Sequence, residues 1–112
     1  MKNKVFGKNL IWPSKISFGG APIGELFENL SDETCTQTLD ECFNNKLRLF
    51  DTSPFYGYGL SETRLGNYLQ HKSREEYLIC TKVGRYLIPE HPNNIDRGVF
   101  KGGLNFKPII DY

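Results

Sequence analysis

Apolar residues recur along the chain at spacings that alternate between helix and strand. After residue 31 they follow a period of about 3.6, which predicts a helix with one buried face. Its buried stripe is Cys35, Leu39, Cys42 and Phe43. Ser31, followed by two acidic residues, is typical of a helix start because its hydroxyl can cap free N–H groups. Asn44 and Asn45 are expected to end the helix with a left-handed C-cap.

Three short apolar segments predict β-strands, at residues 15–18, 47–51 and 77–82. The third is nearly continuous in apolar residues, as strands buried on both faces are. Between the second and third strands a second helix is predicted to start at Ser61. Its buried side is marked by Leu65, Tyr68 and Leu69.

The two ends of the chain carry weaker patterns. Residues 4–12 alternate loosely, which predicts a short hairpin or an irregular lead-in. Residues 83–108 are rich in Gly, Pro, Asn and isolated charges, and we expect one long loop there. Loops of that length in compact domains are usually functional or disordered.

The predicted order β-α-β-α-β indicates a parallel sheet with right-handed crossovers. Asp51 and Lys82 end successive strands 82 − 51 = 31 residues apart, and Phe18 precedes Phe50 by 50 − 18 = 32. A unit of this period suggests a (β/α)8 TIM barrel, which needs about 250 residues. We therefore expect an α/β fold in which residues 1–112 form one partial domain: the N-terminal part of such a barrel, with its first three strands and two helices.

Composition narrows the possible partners and compartment. The net charge is +1 with no basic block, which argues against nucleic acid, and no apolar run reaches the roughly 20 residues that span a bilayer. No apolar segment follows the basic start, so no signal peptide is predicted. The three cysteines include no CxxC pair. Cys35 and Cys42 are interpreted as core residues in a reducing compartment rather than as a metal or redox site, which favours a cytoplasmic protein without a metal.

Three side chains with complementary chemistry are predicted to meet at one rim of the barrel. Catalytic groups of such barrels lie at the C-terminal ends of strands, where Asp51 and Lys82 stand, and Tyr56 lies in the loop between them. An ammonium beside a tyrosine hydroxyl favours the phenolate, and a carboxylate can hold that ammonium in place. The set could therefore move a proton at a carbonyl or carbinol oxygen.

Each of these residues also has a purely structural interpretation. An Asp at a strand end is often a turn or helix cap, a Tyr in a glycine-rich loop is often at the surface, and a Lys there is usually solvated. The glycines that follow the first strand could likewise mark a plain turn rather than a close approach to a ligand. The shared period and the shared rim strengthen the functional interpretation, and at this point both interpretations stay open.

Several segments resemble the aldo-keto reductase family. Residues 50–57 (FDTSPFYG), with Gly-Leu-Ser-Glu shortly after them, are similar to its signature, and residues 81–84 (TKVG) to its lysine motif. Residues 19–24 (GGAPIG) resemble the segment that approaches its nicotinamide cofactor. Details of these motifs, and Asp111-Tyr112 before an expected third helix, resemble the branch that oxidises aldoses at C1, to which pyridoxal dehydrogenases are close.

The resemblance implies an NAD- or NADP-dependent oxidoreductase with the (β/α)8 barrel. It implies Tyr56 as proton donor or acceptor, with Lys82 and Asp51 as its partners. The residues it places beside the cofactor are Gly20, Ala21, Pro22 and Asp51. The implied substrate is a small sugar or a related aldehyde or alcohol, and the oligomeric state stays open.

The chain departs from the family at its fourth catalytic residue, a His at the end of strand four. His71 and His91 fall elsewhere, so neither is assigned this role. Most of the cofactor cleft would also lie on later strands, so the 112-residue chain alone is expected to have little or no activity. The alternatives are an inactive truncated remnant or a non-catalytic binding subunit of the same fold.

Overall fold

A computed structural model of the chain describes residues 4–5, 11–12 and 15–110, with side chains from 15 to 109. Its helices are α1 (Asp32–Asn44) and α2 (Leu60–Leu69). Its strands are β1 (Lys4–Val5), β2 (Ile11–Trp12), β3 (Phe18–Gly19), β4 (Leu49–Asp51), β5 (Leu78–Cys80), β6 (Arg85–Pro89) and β7 (Phe106–Ile110). Short 3-10 helices occupy Pro22–Gly24, Arg74–Glu76 and Pro92–Asn94. The expectation about Asp111 and Tyr112 lies outside the described residues.

The three predicted strands form one parallel sheet in the order β3-β4-β5. Phe50 lies opposite Phe18 on one side and Ile79 on the other, and Asp51 lies opposite Gly19 and Cys80. Each strand is shorter than the sequence predicts, but the β-α-β-α-β order and the 31- to 32-residue period are confirmed. Their parallel pairing brings the carboxyl ends of all three strands to one edge.

Helices α1 and α2 pack on one face of this sheet and form its core. The fully buried Phe50 stands at the centre, and Phe43 of α1 stacks on it at 6.4 Å between ring centres. The core cluster is Ile23, Cys35, Leu39, Phe43, Phe50, Leu65 and Leu69. The predicted stripes are thereby confirmed, except that Cys42 and Tyr68 are half-buried. Burial of each large apolar side chain contributes about 1.5–3 kcal/mol.

The predicted start of α1 and its end at Asn44 and Asn45 are confirmed, whereas the left-handed conformation expected at that end is wrong. The Ser31 hydroxyl accepts a hydrogen bond from the Thr34 amide at 3.1 Å, as an N-cap does. At the other end the left-handed residue is Lys46, with φ 69°, and Asn45 has φ −93°. Asn45 instead donates its side-chain amide at 2.7 Å to the Glu41 carbonyl, which also accepts the backbone amide of Asn45 at 3.1 Å.

Helix α2 starts one residue earlier than predicted, and Ser61 does not cap it. The capping position belongs to Gly59, whose φ of 98° few other residues adopt. Ser61 therefore falls inside the first turn. Its side chain is fully buried and bonds to groups outside the helix.

Strand β5 is less buried than its apolar sequence suggests. Leu78 is buried, but Ile79 is 44% exposed and Cys80 is also exposed. In the described part of the chain β5 has β4 as its one neighbour in the sheet, so its other side stays open. The expectation of burial on both faces is wrong, because Ile79 and Cys80 point to opposite faces of the sheet and both are exposed.

The prediction of one long loop over residues 83–108 is wrong. Strands β6 and β7 pair antiparallel there, with Leu87 opposite Pro108, and Lys107 bonds Glu90 at 3.0 Å beside the ladder. Proline within a run argues against a strand, which hid both strands from sequence reasoning. The predicted hairpin near the start is confirmed as the antiparallel pair β1 and β2.

Candidate active site

The rim at the carboxyl ends of β4 and β5 brings Asp51, Tyr56 and Lys82 together, as expected. Lys82 lies two residues beyond the end of β5, and its Nζ atom is 3.1 and 3.3 Å from the two carboxylate oxygens of Asp51. The same Nζ atom donates to the Thr52 carbonyl at 2.9 Å. It stands 5.0 Å from the centre of the Tyr56 ring. The ammonium therefore lies between the carboxylate and the tyrosine.

Electrostatics keep Lys82 charged. Partial burial lowers the pKa of its ammonium, but the neighbouring Asp51 carboxylate and Tyr56 side chain outweigh this and raise the pKa above its ordinary value. The Lys82 and Asp51 side chains are 48% and 38% exposed, so solvent and small molecules can reach both. At neutral pH the Lys82 ammonium is therefore charged, and it lies bonded to Asp51 beside the Tyr56 ring.

The loop that carries Tyr56 is shaped by close backbone packing. Gly57 has φ 66°, and its backbone lies against the backbone of Gly24 in the loop after β3. A Cβ atom on Gly24 would lie 2.7 Å from the Tyr56 carbonyl, too close for any larger residue. Glycine at both positions therefore lets the loops after β3 and β4 press together.

The predicted cofactor segment begins directly beside Asp51. The Gly20 amide donates to the Asp51 carbonyl at 2.7 Å, and a Cβ atom on Gly20 would lie 2.6 Å from that oxygen. Gly20 is buried, Ala21 is half-buried and Pro22 is exposed at the start of a 3-10 helix. The protein's own packing thus accounts for glycine at position 20, and contact of these residues with a cofactor stays a prediction.

A buried hydroxyl network behind the rim escaped sequence reasoning. The Thr52 and Ser61 hydroxyls are 2.8 Å apart, and Ser61 donates to the Gly20 carbonyl at 2.7 Å. The Thr52 amide donates to the Cys80 carbonyl at 2.8 Å, so the network links all three strand ends. Its signal in the sequence was the position of Ser61 four residues before Leu65, on the buried stripe of α2.

Phe100 is a second residue that sequence reasoning missed. It is 4% exposed and packs against the loop of Tyr56, with ring centres 6.3 Å apart. The one available signal was a large aromatic residue inside a segment of Gly, Asn and charged residues.

The two histidines lie outside the group formed by Asp51, Tyr56 and Lys82. His71 lines a groove of about 320 Å³ between α1 and α2, and the His91 ring accepts a hydrogen bond from the Asn93 amide at 3.2 Å.

Within residues 15–109, no three His, Cys, Asp or Glu side chains cluster so that they could hold a metal ion. No helix among the described ranges is long and apolar enough to cross a membrane.

The sequence profile of the aldo/keto reductase family matches residues 15–101. D-threo-aldose 1-dehydrogenase from a Pseudomonas species is 42% identical over 84 residues, which cover 72% of this chain and 26% of that protein. Pyridoxal 4-dehydrogenase from Microbacterium luteolum is 32% identical over 121 residues, covering 99% and 35%. L-galactose dehydrogenase from Arabidopsis thaliana is 35% identical over 85 residues, covering 74% and 27%. The chain spans about a quarter to a third of these relatives.

Solved structures give the same fold. A glycerol dehydrogenase from Gluconobacter oxydans superposes with a TM-score of 0.66 at 23% identity, over 97% of this chain and 30% of the other. A Pseudomonas aeruginosa protein described as an aldo-keto reductase superposes with a TM-score of 0.59 at 29% identity, over 75% and 32%. The predicted fold, part of a (β/α)8 barrel, is thereby confirmed.

Proposed function

Because the chain belongs to the aldo/keto reductase family, we propose that it carries the proton-transfer side of a nicotinamide-dependent oxidoreductase. The observation that supports this best is the position of the Lys82 ammonium. It is 3.1 Å from the Asp51 carboxylate and 5.0 Å from the centre of the Tyr56 ring. The substrate we propose is an aldose oxidised at C1, or a related aldehyde or alcohol.

Tyr56 is the general acid and base of this proposal. In the oxidative direction its phenolate oxygen takes the proton of the substrate hydroxyl, and in the reductive direction its hydroxyl returns a proton to the carbonyl oxygen. Lys82 stabilises the phenolate by its charge, and Asp51 keeps the ammonium in place through two hydrogen bonds. The carbonyl of Thr52 takes a third N–H of Lys82, which fixes the direction of its side chain.

The cofactor we propose for this rim is NAD or NADP, which when bound would exchange hydride with the substrate. A Cβ atom placed on Gly19, at the end of β3, would meet nothing within 4 Å, and Asp51 in the next strand is 38% exposed. The backbone edge is therefore open beside the candidate acid–base set. Gly20, Ala21, Pro22 and Asp51 are the residues we propose to border the cofactor.

The substrate class rests on the relatives rather than on a bound molecule. The matched relatives are named for an aldose, pyridoxal and L-galactose, all small polar molecules with an aldehyde or carbinol carbon. Because this chain spans about a quarter to a third of their length, oxidation of such a substrate by the whole protein is part of the proposal.

Substitution of Tyr56 by Phe in the native protein tests the proposal. We expect kcat for NAD(P)-dependent aldose oxidation to fall about 10²- to 10⁴-fold, because the proton acceptor is lost. Cofactor affinity, followed by NAD(P)H fluorescence, should change little. The rate at which absorbance at the NAD(P)H maximum rises, at saturating substrate, gives kcat.

Tyr77→Phe is the matched control, since it removes one hydroxyl from a half-buried tyrosine that packs on Arg74 instead of Lys82. It should leave kcat unchanged. Unchanged turnover in Tyr56→Phe would remove Tyr56 from its proposed role. A native protein without turnover on any aldose would favour the remnant or the binding subunit.

A further inference from the structure

The segment of residues 95–104, which precedes β7, lies across both loops that build the candidate site. We call it the brace. Its Lys101 amide donates to the Glu25 carbonyl at 2.7 Å, in the loop after β3. Its Leu104 amide donates to the Gly57 carbonyl at 3.0 Å, in the loop after β4. The brace therefore ties together the two loops that carry the candidate cofactor segment and Tyr56.

Tyr58 gives the brace a buried anchor. Its hydroxyl donates to the Asp96 carbonyl at 2.6 Å, across 38 residues of chain, and the side chain is 2% exposed. Burial raises the pKa of Tyr58, so the hydroxyl keeps its proton and remains a donor. The left-handed backbone of Tyr58, with φ 52°, is held by this packing.

Phe100 fills the space between the brace and the loop after β4. Its ring meets Phe55 edge-on at 5.4 Å between centres and lies 6.2 Å from Tyr58. It also lies 6.3 Å from Tyr56, with the two ring planes tilted by 37°. Phe100 is not a member of the helix-sheet core, which is centred on Phe50. Its packing therefore serves the rim rather than the sheet.

We propose that Phe100 is a positioning residue that holds the Tyr56 ring in register with Lys82; this rests on the proposed function. Tyr56 is half-buried, with the Lys82 ammonium 5.0 Å and the centre of the Phe100 ring 6.3 Å from the centre of its ring. Without the Phe100 ring, Tyr56 gains room to turn away from Lys82. Misplacement of an acid–base group by about 1 Å can cost about 10²-fold in rate.

The test compares Phe100→Ala and Phe100→Leu in the native protein. Phe100→Ala should lower kcat about 10- to 100-fold, with the KM for cofactor nearly unchanged, because Tyr56 is displaced while the cofactor side is intact. Phe100→Leu keeps most of the packing volume and should recover most of the rate. It also keeps the test decisive where the alanine variant does not fold.

Two control variants separate positioning from mere stability. Val99→Ala removes methyl groups from the neighbouring residue, which is 64% exposed, and should change neither kcat nor the melting temperature. Phe43→Leu weakens the core cluster away from the rim, and it should lower the melting temperature but leave kcat unchanged at low temperature. If Phe100→Ala behaves like Phe43→Leu, the proposal is overturned.

A structural measurement distinguishes failure of this proposal from failure of the proposed function. In NMR spectra of tyrosine-labelled protein, Phe100→Ala should shift and broaden the Tyr56 ring signals, assigned with Tyr56→Phe. Unmoved Tyr56 signals would refute the positioning role even if Tyr56→Phe abolishes turnover. Moved signals together with an active Tyr56→Phe would instead reject the proposed function and leave the packing role standing.

Discussion

At the scale of single residues, Ser61 has the most consequential position behind the rim. It is fully buried, and its hydroxyl serves two partners, the Gly20 carbonyl and the Thr52 hydroxyl. The carbonyl of Gly20 belongs to the loop after β3, and Thr52 follows β4. One side chain of α2 therefore satisfies polar groups from two strand ends, where buried polar groups without partners would be costly.

Ser61→Ala should lower the free energy of unfolding by about 1–3 kcal/mol, because it leaves two buried polar groups without their partner. Urea unfolding followed by circular dichroism measures the loss. Thr63→Ala is the control on the same helix, since Thr63 is exposed, and it should stay within about 0.5 kcal/mol of the wild type. Equal stability of the Ser61 variant and the wild type would contradict this account of the network.

At the scale of elements, polar contacts join α2 to α1 and to the segment that precedes α1. The Arg64 guanidinium bonds Asp32 at 2.9 Å and donates to the carbonyls of Ile23 and Leu30. The Tyr68 hydroxyl donates to the Asp40 carboxylate at 2.7 Å. These contacts fix how the two helices lie against each other, and hence where the loops after β3 and β4 end.

The contact between Tyr68 and Asp40 predicts an alkaline limit of stability. Burial and the hydrogen bond to the Asp40 carboxylate raise the pKa of Tyr68 well above its ordinary value. The unfolded chain therefore loses the tyrosine proton first, at about pH 10, so this contribution is complete below that pH. It is lost as the pH rises toward the pKa of the folded state.

Unfolding of the wild type in urea at about pH 8 and about pH 11 measures this loss. Tyr68→Phe has no hydroxyl proton to lose at this position. Its free energy of unfolding should therefore fall less than that of the wild type between the two pH values. The raised pKa of Lys82 acts in the same direction and leaves part of the drop in place. If the free energy of unfolding of Tyr68→Phe falls as much as that of the wild type, the assignment to Tyr68 is contradicted.

Regular spacing of apolar residues predicted the two helices and the three parallel strands. The stripes of α1 and α2, the strand period and the meeting of Asp51 with Lys82 follow from spacing alone, and the structure has them. Strands β6 and β7 were missed because both include proline and no regular apolar spacing marks them in the sequence. Phe100 was missed for a related reason: it meets Tyr56 across 100 − 56 = 44 residues, and no local pattern encodes that contact.

At the scale of the whole molecule, the described residues leave part of the sheet uncovered. Helices α1 and α2 cover one face over β3 and β4, while β5 has a neighbour on one side only. On and just beyond that open edge, Ile79 is 44% exposed and Val83 is 98% exposed. An open strand edge with apolar side chains is a template for pairing with another chain.

The 112-residue chain expressed alone should therefore associate with itself through the edge of β5. Sedimentation velocity over a concentration series should show a mass that rises with concentration. Ile79→Lys combined with Val83→Lys should suppress this, because a buried ammonium at a paired edge is costly. Phe27→Lys is the control: Phe27 is 73% exposed but lies in the loop after β3, away from this edge. If Phe27→Lys suppresses association as strongly as the double variant, apolar exposure in general and not the edge of β5 drives it; if the wild type stays monomeric throughout, the edge is blunted in solution.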